Sequence, residues 1–334
     1  MRPSVSVVMP VYNGAAYLVD SVASVLEQSV SEIELICVND GSTDESLSIL
    51  EAFARLDDRV HVLSQTNQGI VAALNKGCGA ARSDLIARMD CDDISFPGRL
   101  SRQLSVMKEK PEIAVLGAAI MEIDSDGDPL RHSALPAEHN AILAGLLKRE
   151  TGHFHPTTMF RREVFERVGG YRSKYQWVED HDLWLRMAKH GHLANLEEVL
   201  LCYRQHASSV CWQRSQQQRL LMDQLIGEAQ GRPFNPESRD SKPRRRASAG
   251  PGKWARAASR GGFGKTLIKN WMQLLRTDEP LSYKTRMIME TALRFPAAYI
   301  KRLMNARQST AVPTFAKWHQ RLRQDMAVVA SKAA

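Results

Sequence analysis

Short apolar runs alternate with segments of helical periodicity over residues 1–120. The runs are rich in β-branched residues and have the length of buried strands: Val5–Met9, Ile33–Val38, Val60–Leu63, Leu85–Met89 and Ile113–Ile120. The segments between them, in which apolar residues recur every three or four positions, are 15–28, 42–53, 70–81 and 97–108. Strands separated by helices of this length predict an α/β fold, with a mainly parallel sheet and helices on both faces.

After residue 120 the alternation is less regular. The sequence SDGD at 125–128 is typical of a hairpin turn. Further helices are predicted over 137–148, 162–168 and 180–190, and further strands over Thr157–Phe160 and Leu196–Tyr203. Ser42–Glu45 has the residue types of a capping box, which predicts side-chain capping of the helix that follows.

The C-terminal third differs from the rest in composition and charge. Residues 231–252 are rich in Pro, Gly, Ser and Arg, which indicates a linker. Residues 231–334 contain 22 Lys and Arg against 6 Asp and Glu, a net charge of +16. Residues 1–230 have a net charge of −8, and the two parts sum to the +8 of the whole chain. We therefore predict a folded domain over 1–230, a linker over 231–252 and a basic helical tail over 253–334. Such a tail favours a polyanionic partner.

One segment of the tail has the pattern of an interfacial helix. At 100° per residue, six apolar side chains of residues 265–276 form one continuous face: Leu267, Ile268, Trp271, Met272, Leu274 and Leu275. Lys265, Lys269 and Arg276 lie beside one edge of this face. An apolar face with Trp next to a basic ridge predicts binding to an anionic membrane surface. The alternatives are that the face packs on the folded domain or, less favoured, that the tail binds nucleic acid.

Neither a membrane span nor a disulfide framework is predicted. The longest stretch without charge, Pro3–Val19, has 17 residues and is interrupted by Pro10, Asn13 and Gly14, whereas a span needs roughly 20 apolar residues. The five cysteines are odd in number and form no C-x-x-C pair. We expect a cytoplasmic protein, peripheral on the inner face of the membrane if the tail binds lipid.

Acidic residues follow two of the predicted strands and open one predicted helix. Asp40 follows the second strand, Asp90, Asp92 and Asp93 follow the fourth, and Glu179 with Asp180 opens the helix that begins near residue 180. The carboxyl ends of parallel strands meet at one edge of a sheet, where ligands bind. The first two acidic segments are therefore expected to line one cleft.

Each acidic segment also allows a structural interpretation. Alternate residues of an extended chain point the same way, so Asp90-x-Asp92 can hold Mn²⁺ or Mg²⁺ together with a diphosphate; such pairs also occur in ordinary loops. Asn39-Asp40-Gly-Ser is good turn chemistry. An acid in the first helical turn, such as Asp180, can cap free N–H groups. For Asp182 we expect capping or solvation.

Five ordered motifs carry a resemblance to a known family: VSVVMPVYNG at 5–14, VNDGSTD at 38–44, NQG at 67–69 with ALNKG at 73–77, ARMDCDD at 87–93 and WVEDHDLWLR at 177–186. Over residues 3–210 the chain resembles the inverting glycosyltransferases of family 2. The resemblance implies the GT-A nucleotide-diphospho-sugar transferase fold, which is Rossmann-like. It also implies transfer of a sugar from a nucleoside-diphosphate donor to a hydroxyl of a glycan or lipid-linked glycan, in polysaccharide or glycolipid biosynthesis.

The resemblance implies roles for individual residues on the donor side. Tyr12 matches the residue that packs on the nucleotide base, and Pro10 shapes its loop. Asp40 matches the carboxylate that binds the base, which favours UDP donors. Asp90 matches the acid near the ribose and the metal, and Asp92 matches the metal ligand.

The resemblance also implies the chemistry of the acceptor side. Asp180 matches the general base that deprotonates the acceptor hydroxyl, and its neighbour Glu179 is the alternative base. His206 is expected to face the diphosphate. A Q-x-x-R-W motif, typical of processive synthases of the family, is absent from the sequence, which predicts non-processive transfer. For His153-x-His155 we considered a metal pair, but favour a structural role.

Two other classes of protein are alternatives. A sugar-1-phosphate nucleotidyltransferase shares the α/β architecture, but usually needs a Gly-rich basic loop near the N-terminus, which residues 4–14 do not have. A nucleic-acid-binding protein would use the arginines of the tail, such as Arg244–Arg246, and would leave the ordered acidic motifs unexplained. We therefore predict a metal-dependent glycosyltransferase.

Overall fold

The computed structural model describes residues 2–206, 215–231 and 315–333. In these ranges nine strands form one sheet, in the order β3-β2-β1-β4-β8-β6-β9-β5, with β7 paired to β6. The strands are β1 (Val5–Val11), β2 (Ile33–Asp40), β3 (Val60–Gln65), β4 (Leu85–Arg88), β5 (Ile94–Ser95), β6 (Ile113–Ile123), β7 (Pro129–Ser133), β8 (Met159–Arg161) and β9 (His192–Arg204). β1 is parallel to β2 and β4, β2 to β3 and β6 to β9, whereas β5, β7 and β8 are antiparallel to their neighbours.

Helices cover both faces of the sheet. They are α1 (Ala15–Leu26), α2 (Ser46–Leu56), α3 (Ile70–Ala80), α4 (Arg99–Glu109), α5 (His139–Leu147), α6 (Arg162–Arg167), α7 (Glu179–Met187), α8 (Ser215–Ala229) and α9 (Ala316–Ala333). Successive side chains of a strand point to opposite faces, so Val7 and Met9 pack with residues of α1, α2 and α4 while Val8 packs with residues of α3 and α7. The predicted mainly parallel sheet between two layers of helices is therefore confirmed.

Pro10 lies inside β1, whereas the predicted strand, Val5–Met9, ended directly before this proline. The strand runs to Val11, and Pro10 is buried opposite Val38 of β2. In a parallel ladder the backbone groups of residues i and i+2 face the same neighbour. The carbonyl of Val8 accepts from Met89 on the β4 side, and pairing of β1 with β4 ends at Val8. The missing N–H of Pro10 therefore falls beyond that ladder and removes no hydrogen bond from it.

The predicted capping box is wrong. α2 begins at Ser46, and the side chain of its N-cap residue, Glu45, forms no capping hydrogen bond. The carboxylate of Asp44 instead accepts from the backbone N–H groups of Ala15 and Ser46, both at 3.0 Å. Asp44 thus links the first turns of α1 and α2, and these turns flank the loop that follows β1.

The C-terminal helix packs against the domain. Phe315, Trp318 and Leu322 are buried in the same apolar cluster as α1 and α2. The Trp318 indole lies 5.2 Å from the ring of Phe53, between centroids, and its Nε1–H donates to Glu27 Oε1 at 3.0 Å. For residues 315–327 of the predicted tail, packing on the domain is thus the observed arrangement. The predicted linker from residue 232 onward and the helix predicted over 265–276 lie outside the described residues. None of the helices described is long and apolar enough to cross a membrane.

Candidate active site

The acidic residues that follow β2 and β4 lie at one edge of the sheet, because both strands run parallel to β1 between them. Asp40 is the last residue of β2. Asp90, Asp92 and Asp93 follow β4, and each offers a carboxylate oxygen within 4.8 Å of the others. The local sequence thus brings three carboxylates together at the carboxyl end of a central strand. In the described part of the chain this is the only such group of His, Cys, Asp or Glu residues.

Arg88 and Arg99 supply buried positive charge behind the carboxylates. The Arg88 guanidinium, 4% exposed, forms an ion pair with Asp90. Arg99 donates to the Arg88 carbonyl at 2.7 Å and is fully buried. Burial raises the pKa of Asp90; the Arg88 charge opposes this, and the charges of Asp92 and Asp180 add to it. Neither arginine was identified from the sequence, although Arg88 stands only two residues before Asp90.

Asp93 is the most buried of the three carboxylates. It is 1% exposed, and its Oδ1 accepts from the backbone N–H of Arg204 at 2.8 Å. Its Oδ2 has no hydrogen-bond partner among the described residues. Burial, with the charges of Asp92 and Asp90, raises the pKa of Asp93 well above its usual range. A nearby cation would stabilise the charged form of this carboxyl group.

His206 contacts Asp92, the expected metal ligand. Its Nε2 lies 2.7 Å from Asp92 Oδ2, and its ring centroid lies 5.3 Å from that of Tyr17. The Arg204 guanidinium lies 4.5 Å from the Tyr17 ring, and its Nε–H donates to the Asp92 carbonyl at 2.8 Å. The end of β9 therefore closes over the Asp90–Asp93 segment. No local signal in the sequence indicated that Tyr17 or Arg204 would lie here.

Asp40 organises the loop between β3 and α3. It is 4% exposed, and its carboxylate accepts from Gln65 Nε2 and from the backbone N–H groups of Gln68 and Gly69, each at 2.8 Å. Gly69 has a φ of +86°, a conformation that favours glycine. The turn that the sequence after Asn39 predicts is also formed, since Asn39 Oδ1 accepts from the Ser42 N–H at 3.1 Å. A role of Asp40 in base binding stays a prediction.

Tyr12 projects from the end of β1. Its side chain is 51% exposed. The next residue, Asn13, has a φ of +51°; its N–H donates to Ser42 Oγ at 3.1 Å, and its Oδ1 accepts from the Thr43 N–H at 2.8 Å. These bonds fix the loop and leave the aromatic ring accessible at the same edge as the carboxylates.

Glu179 and Asp180 form the first turn of α7 but differ in environment. Glu179 is 6% exposed, and its Oε2 accepts from the backbone N–H of Trp177 at 2.6 Å. Burial, with the Asp180 charge, raises the pKa of Glu179 to about 7. Asp180 is half-buried and lines a cleft of about 180 Å³. Its Oδ1 accepts from the N–H of His181 at 2.7 Å. Of the two acids, Asp180 is the one that reaches the cleft.

Asp182 is neither a cap nor solvated, so that expectation is wrong. Its side chain is fully buried and forms ion pairs with Arg172 and Arg186. Arg186 Nη1 and Nη2 also donate to the carbonyls of Val168 and Gly170, both at 2.7 Å. The network connects α7 to the segment that precedes it. The i, i+4 spacing of Asp182 and Arg186 is a sequence signal for the ion pair between these two residues, but not for the pair with Arg172.

His153 and His155 each contact another side chain of the protein. His153 Nδ1 lies 2.7 Å from Asn195 Oδ1, and His155 Nε2 lies 2.8 Å from the Tyr171 hydroxyl. Burial lowers the pKa of His153 to about 4 and that of His155 well below its usual range. Both imidazoles are therefore neutral at physiological pH, in line with the structural role that we favoured.

The chain is similar to glycosyltransferases in sequence and in fold. It matches the model of Glycosyl transferase family 2 over residues 6–169. It is 35% identical over 213 residues to EpsE of Bacillus subtilis (62% of this chain and 75% of EpsE). It is 34% identical over 209 residues to the O-antigen biosynthesis glycosyltransferase WbnJ of Escherichia coli (61% and 81%). It is also 34% identical over 183 residues to the amylovoran biosynthesis glycosyltransferase AmsE of Erwinia amylovora (54% and 68%).

Among solved structures, S. aureus TarS 1–349 in complex with UDP has a TM-score of 0.51 and 15% identity, over 93% of both chains. This similarity concerns the fold, which is the GT-A fold. The chain belongs to glycosyltransferase family 2. This assignment gives no support to the alternatives of a nucleotidyltransferase or a nucleic-acid-binding protein.

Proposed function

We propose that this glycosyltransferase moves a hexose-type unit from a nucleoside-diphosphate sugar, most simply a UDP-sugar, to a hydroxyl of a glycan or lipid-linked glycan. The observation that carries the proposal is a group of three carboxylates at the sheet edge, with one further carboxylate in a cleft at the start of α7. Asp90, Asp92 and Asp93 lie together at the sheet edge. Asp180 lines the cleft, and its negative charge adds to the causes that raise the pKa of Asp90.

The donor is proposed to bind along the sheet edge. The exposed Tyr12 ring would pack on the base, in a loop whose start is fixed by the buried Pro10. Asp40 would accept from the imide N–H of uracil, which is why we propose UDP. Two N–H donors of the protein already reach Asp40 Oδ1, and one reaches Oδ2. A carboxylate offers about four acceptor positions, so one position is left for the N–H of the base.

The carboxylate group fits Mn²⁺ or Mg²⁺. All of its coordinating atoms are oxygens, which these hard cations prefer. Oδ2 of Asp93 has no hydrogen-bond partner among the described residues, so this oxygen is free to coordinate a cation. We propose Asp92 as the metal ligand, with Asp90 next to it near the ribose. Once bound, the cation would neutralise charge on the departing diphosphate.

Asp180 is proposed as the general base. It would accept the proton of the acceptor hydroxyl while that oxygen attacks the anomeric carbon from the face opposite the diphosphate. A single displacement of this kind inverts the anomeric configuration. Glu179 is the less favoured base, because its carboxylate is turned into the protein toward the Trp177 N–H. His206, 2.7 Å from Asp92, would lie beside the diphosphate.

The biological setting is proposed from the relatives. AmsE and WbnJ are named for amylovoran and O-antigen biosynthesis, and we propose that this chain likewise acts in the assembly of a cell-surface polysaccharide or glycolipid. The absence of the Q-x-x-R-W motif from the sequence supports the non-processive addition of single sugars. The cytoplasmic side of the membrane is where such donors and lipid-linked acceptors would meet.

A screen of nucleotide sugars by mass spectrometry, with Mn²⁺ and a panel of acceptors, tests the proposal. We expect turnover of at least one nucleoside-diphosphate sugar, loss of turnover in EDTA, and its return with added Mn²⁺. Asp92→Ala should lose most turnover, whereas Asp58→Ala, which changes an exposed acid in the loop after α2, should keep it. Full activity of metal-free protein in EDTA would contradict metal dependence.

We also propose that the segment 265–276 binds anionic membranes. Because α9 packs on α1 and α2, deletion of residues 253–334 would expose core residues, so a substitution is the better test. The full chain should cosediment with phosphatidylserine vesicles, less at high salt, since each nearby cation adds about 1 kcal/mol of attraction. Trp271→Glu with Leu274→Glu should abolish this. Equal binding by the variant would reject the proposal.

A further inference from the structure

The Asp90–Asp93 segment is held in place by residues of two distant elements. It lies between β4 and β5, outside both strands. The hydroxyl of Ser21 on α1 donates to the Asp93 carbonyl at 2.6 Å, and Arg204 Nε, at the end of β9, donates to the Asp92 carbonyl at 2.8 Å. The backbone N–H of Arg204 also donates to Asp93 Oδ1 at 2.8 Å. The position of the proposed metal ligand Asp92 therefore depends on α1 and β9.

Arg204 bonds a further segment through the same guanidinium group. It is 4% exposed, and its Nη1 donates to the carbonyls of Asp124 and Ser125, in the turn between β6 and β7, both at 3.2 Å. The N–H donors of arginine have fixed directions in one plane, whereas the ammonium group of lysine is a single point of charge. One planar group thus fixes the backbone of Asp92 relative to the turn between β6 and β7, and lysine could not bond both segments in the same way.

Tyr17 contacts both Arg204 and His206. It lies one helical turn before Ser21 on α1, so both side chains lie on one face of that helix. Arg204 Cζ lies 4.5 Å from the centroid of the Tyr17 ring, a distance at which an aromatic ring attracts a cation. The His206 ring centroid lies 5.3 Å from that of Tyr17, and His206 Nε2 lies 2.7 Å from Asp92 Oδ2. One aromatic ring therefore contacts the side chain that bonds the Asp92 backbone and the side chain that contacts its carboxylate.

We propose that Tyr17 and Arg204 are positioning residues for the metal and diphosphate site. Arg204 fixes the backbone of Asp92, and the Tyr17 ring fixes the orientation of the Arg204 guanidinium and the His206 imidazole. The Asp92 carboxylate and His206 are then in place before a cation and a donor bind. The inference rests on the proposed function in one respect, namely that Asp92 is the metal ligand of the transferase.

Binding of Mn²⁺ to the full chain, measured by electron paramagnetic resonance with and without UDP, tests the proposal and needs no turnover. Substitution of a residue that orients a metal ligand typically weakens metal binding about 10–100-fold, and we expect a loss in this range for Arg204→Lys. Tyr17→Leu removes the ring and should weaken Mn²⁺ binding roughly tenfold. Tyr17→Phe keeps the ring and should change it by no more than about twofold.

Arg161→Lys is the matched control. The Arg161 guanidinium also holds backbone carbonyls, those of Ile113 and Met107, at 2.8 and 2.7 Å. Arg161 lies opposite Leu85 at the start of β4, whereas the Asp90–Asp93 segment follows the end of that strand. Any loss of stability from replacing such an arginine by lysine should therefore occur in this variant too, but its affinity for Mn²⁺ should equal that of the native chain.

A general loss of folding would not produce the expected result. Turnover of Arg204→Lys and Tyr17→Leu should recover at raised Mn²⁺, so the change should lie in the Mn²⁺ concentration for half-maximal turnover and not in kcat. If Arg204→Lys does not fold, as judged by urea unfolding, the comparison of Tyr17→Leu with Tyr17→Phe decides. Tyr17 is half-buried, and neither of these two substitutions removes a charge.

Failure of the inference is distinguishable from failure of the proposed function. If the native chain binds Mn²⁺ and Tyr17→Leu and Arg204→Lys bind it as tightly, the positioning role is overturned while the transferase activity stands. A loss of Mn²⁺ affinity in Arg161→Lys as large as that in Arg204→Lys would also overturn it. If the native chain neither binds Mn²⁺ nor turns over any nucleotide sugar, the proposed function itself fails.

Discussion

Replacing Asp182 by alanine should destabilise the domain and impair catalysis together. The Asp182 carboxylate is fully buried, and both of its oxygens pair with Arg172 or Arg186. Arg172 belongs to the segment that leads to Trp177, and Arg186 to the helix that begins with Glu179 and Asp180. The carboxylate therefore holds together two parts of the chain that carry the proposed base and the wall of its cleft.

The expected loss of unfolding free energy depends on the hydrogen-bond and ion-pair partners that Arg172 and Arg186 keep after the substitution. Removing one partner of a buried ion pair costs about 3–5 kcal/mol, chiefly because the remaining charge is left uncompensated. Arg186 keeps the carbonyls of Val168 and Gly170, and Arg172 is 31% exposed and keeps Glu228 at 3.3 Å. Both arginines thus keep part of their compensation, and we expect the lower end of the range, about 3 kcal/mol.

Urea unfolding followed by circular dichroism measures this loss. The control is Glu198→Ala, which removes a pair between two half-exposed side chains, Arg102 and Glu198, and should cost at most about 1 kcal/mol. Asp182→Ala should also lower kcat about tenfold under conditions in which it remains folded, since small displacements of a base reduce the rate strongly. A stability loss no larger than that of the control would refute the reasoning.

Three further predictions concern neighbouring groups. Asp180→Asn should lower transfer by roughly 10²–10⁴-fold with donor binding intact by calorimetry; a near-native rate, with loss in Glu179→Gln instead, would identify Glu179 as the base. Burial raises the pKa of Glu179 to about 7, so the folded chain favours the protonated carboxyl group more than the unfolded chain does. The stabilising contribution of this protonation is full below about pH 4.3 and is lost as the pH rises through 7. In urea titrations, the unfolding free energy of Glu179→Gln should therefore rise relative to that of the native chain between pH 5 and pH 8. Trp318→Ala removes the indole from Phe53 and should cost up to about 3–5 kcal/mol, with faster proteolysis of α9 than of the sheet; equal cleavage patterns would contradict its docking.

The sheet and its acidic edge were predictable because their determinants are local. β1 and β2 are buried along their whole length, so each appears as a continuous apolar run, and the helices between parallel strands have clear periodicity. The same logic places the residue that follows each strand at a known edge. Asp40 and Asp90–Asp93 were therefore expected near one another, and the structure has them at one edge.

Other features were missed because a partner distant in sequence decides them. β5 has only two residues, Ile94 and Ser95, and exists because it pairs with β9 more than 100 positions further on. The buried ion pairs of Asp182 depend on Arg172, whose position relative to α7 no periodicity reveals. Pro10 stays within β1 because pairing with β4 has already ended. In each case the local pattern allows several outcomes and the tertiary contact selects one.

The two sides of the site differ in the same way. The proposed donor side is made of residues at or directly after the ends of strands, so the fold alone positions them. The cleft beside Asp180 combines the segment after α5 with Trp177 and with Gln218 on α8, which are joined through side-chain contacts such as that of Gln218 to the Trp177 carbonyl. If the acceptor binds in this cleft, as the proposed base implies, we expect substitutions in these segments to change the acceptor without disturbing the sheet edge. This division explains why the sequence predicts a sugar nucleotide and a base, yet leaves the acceptor to be identified by experiment.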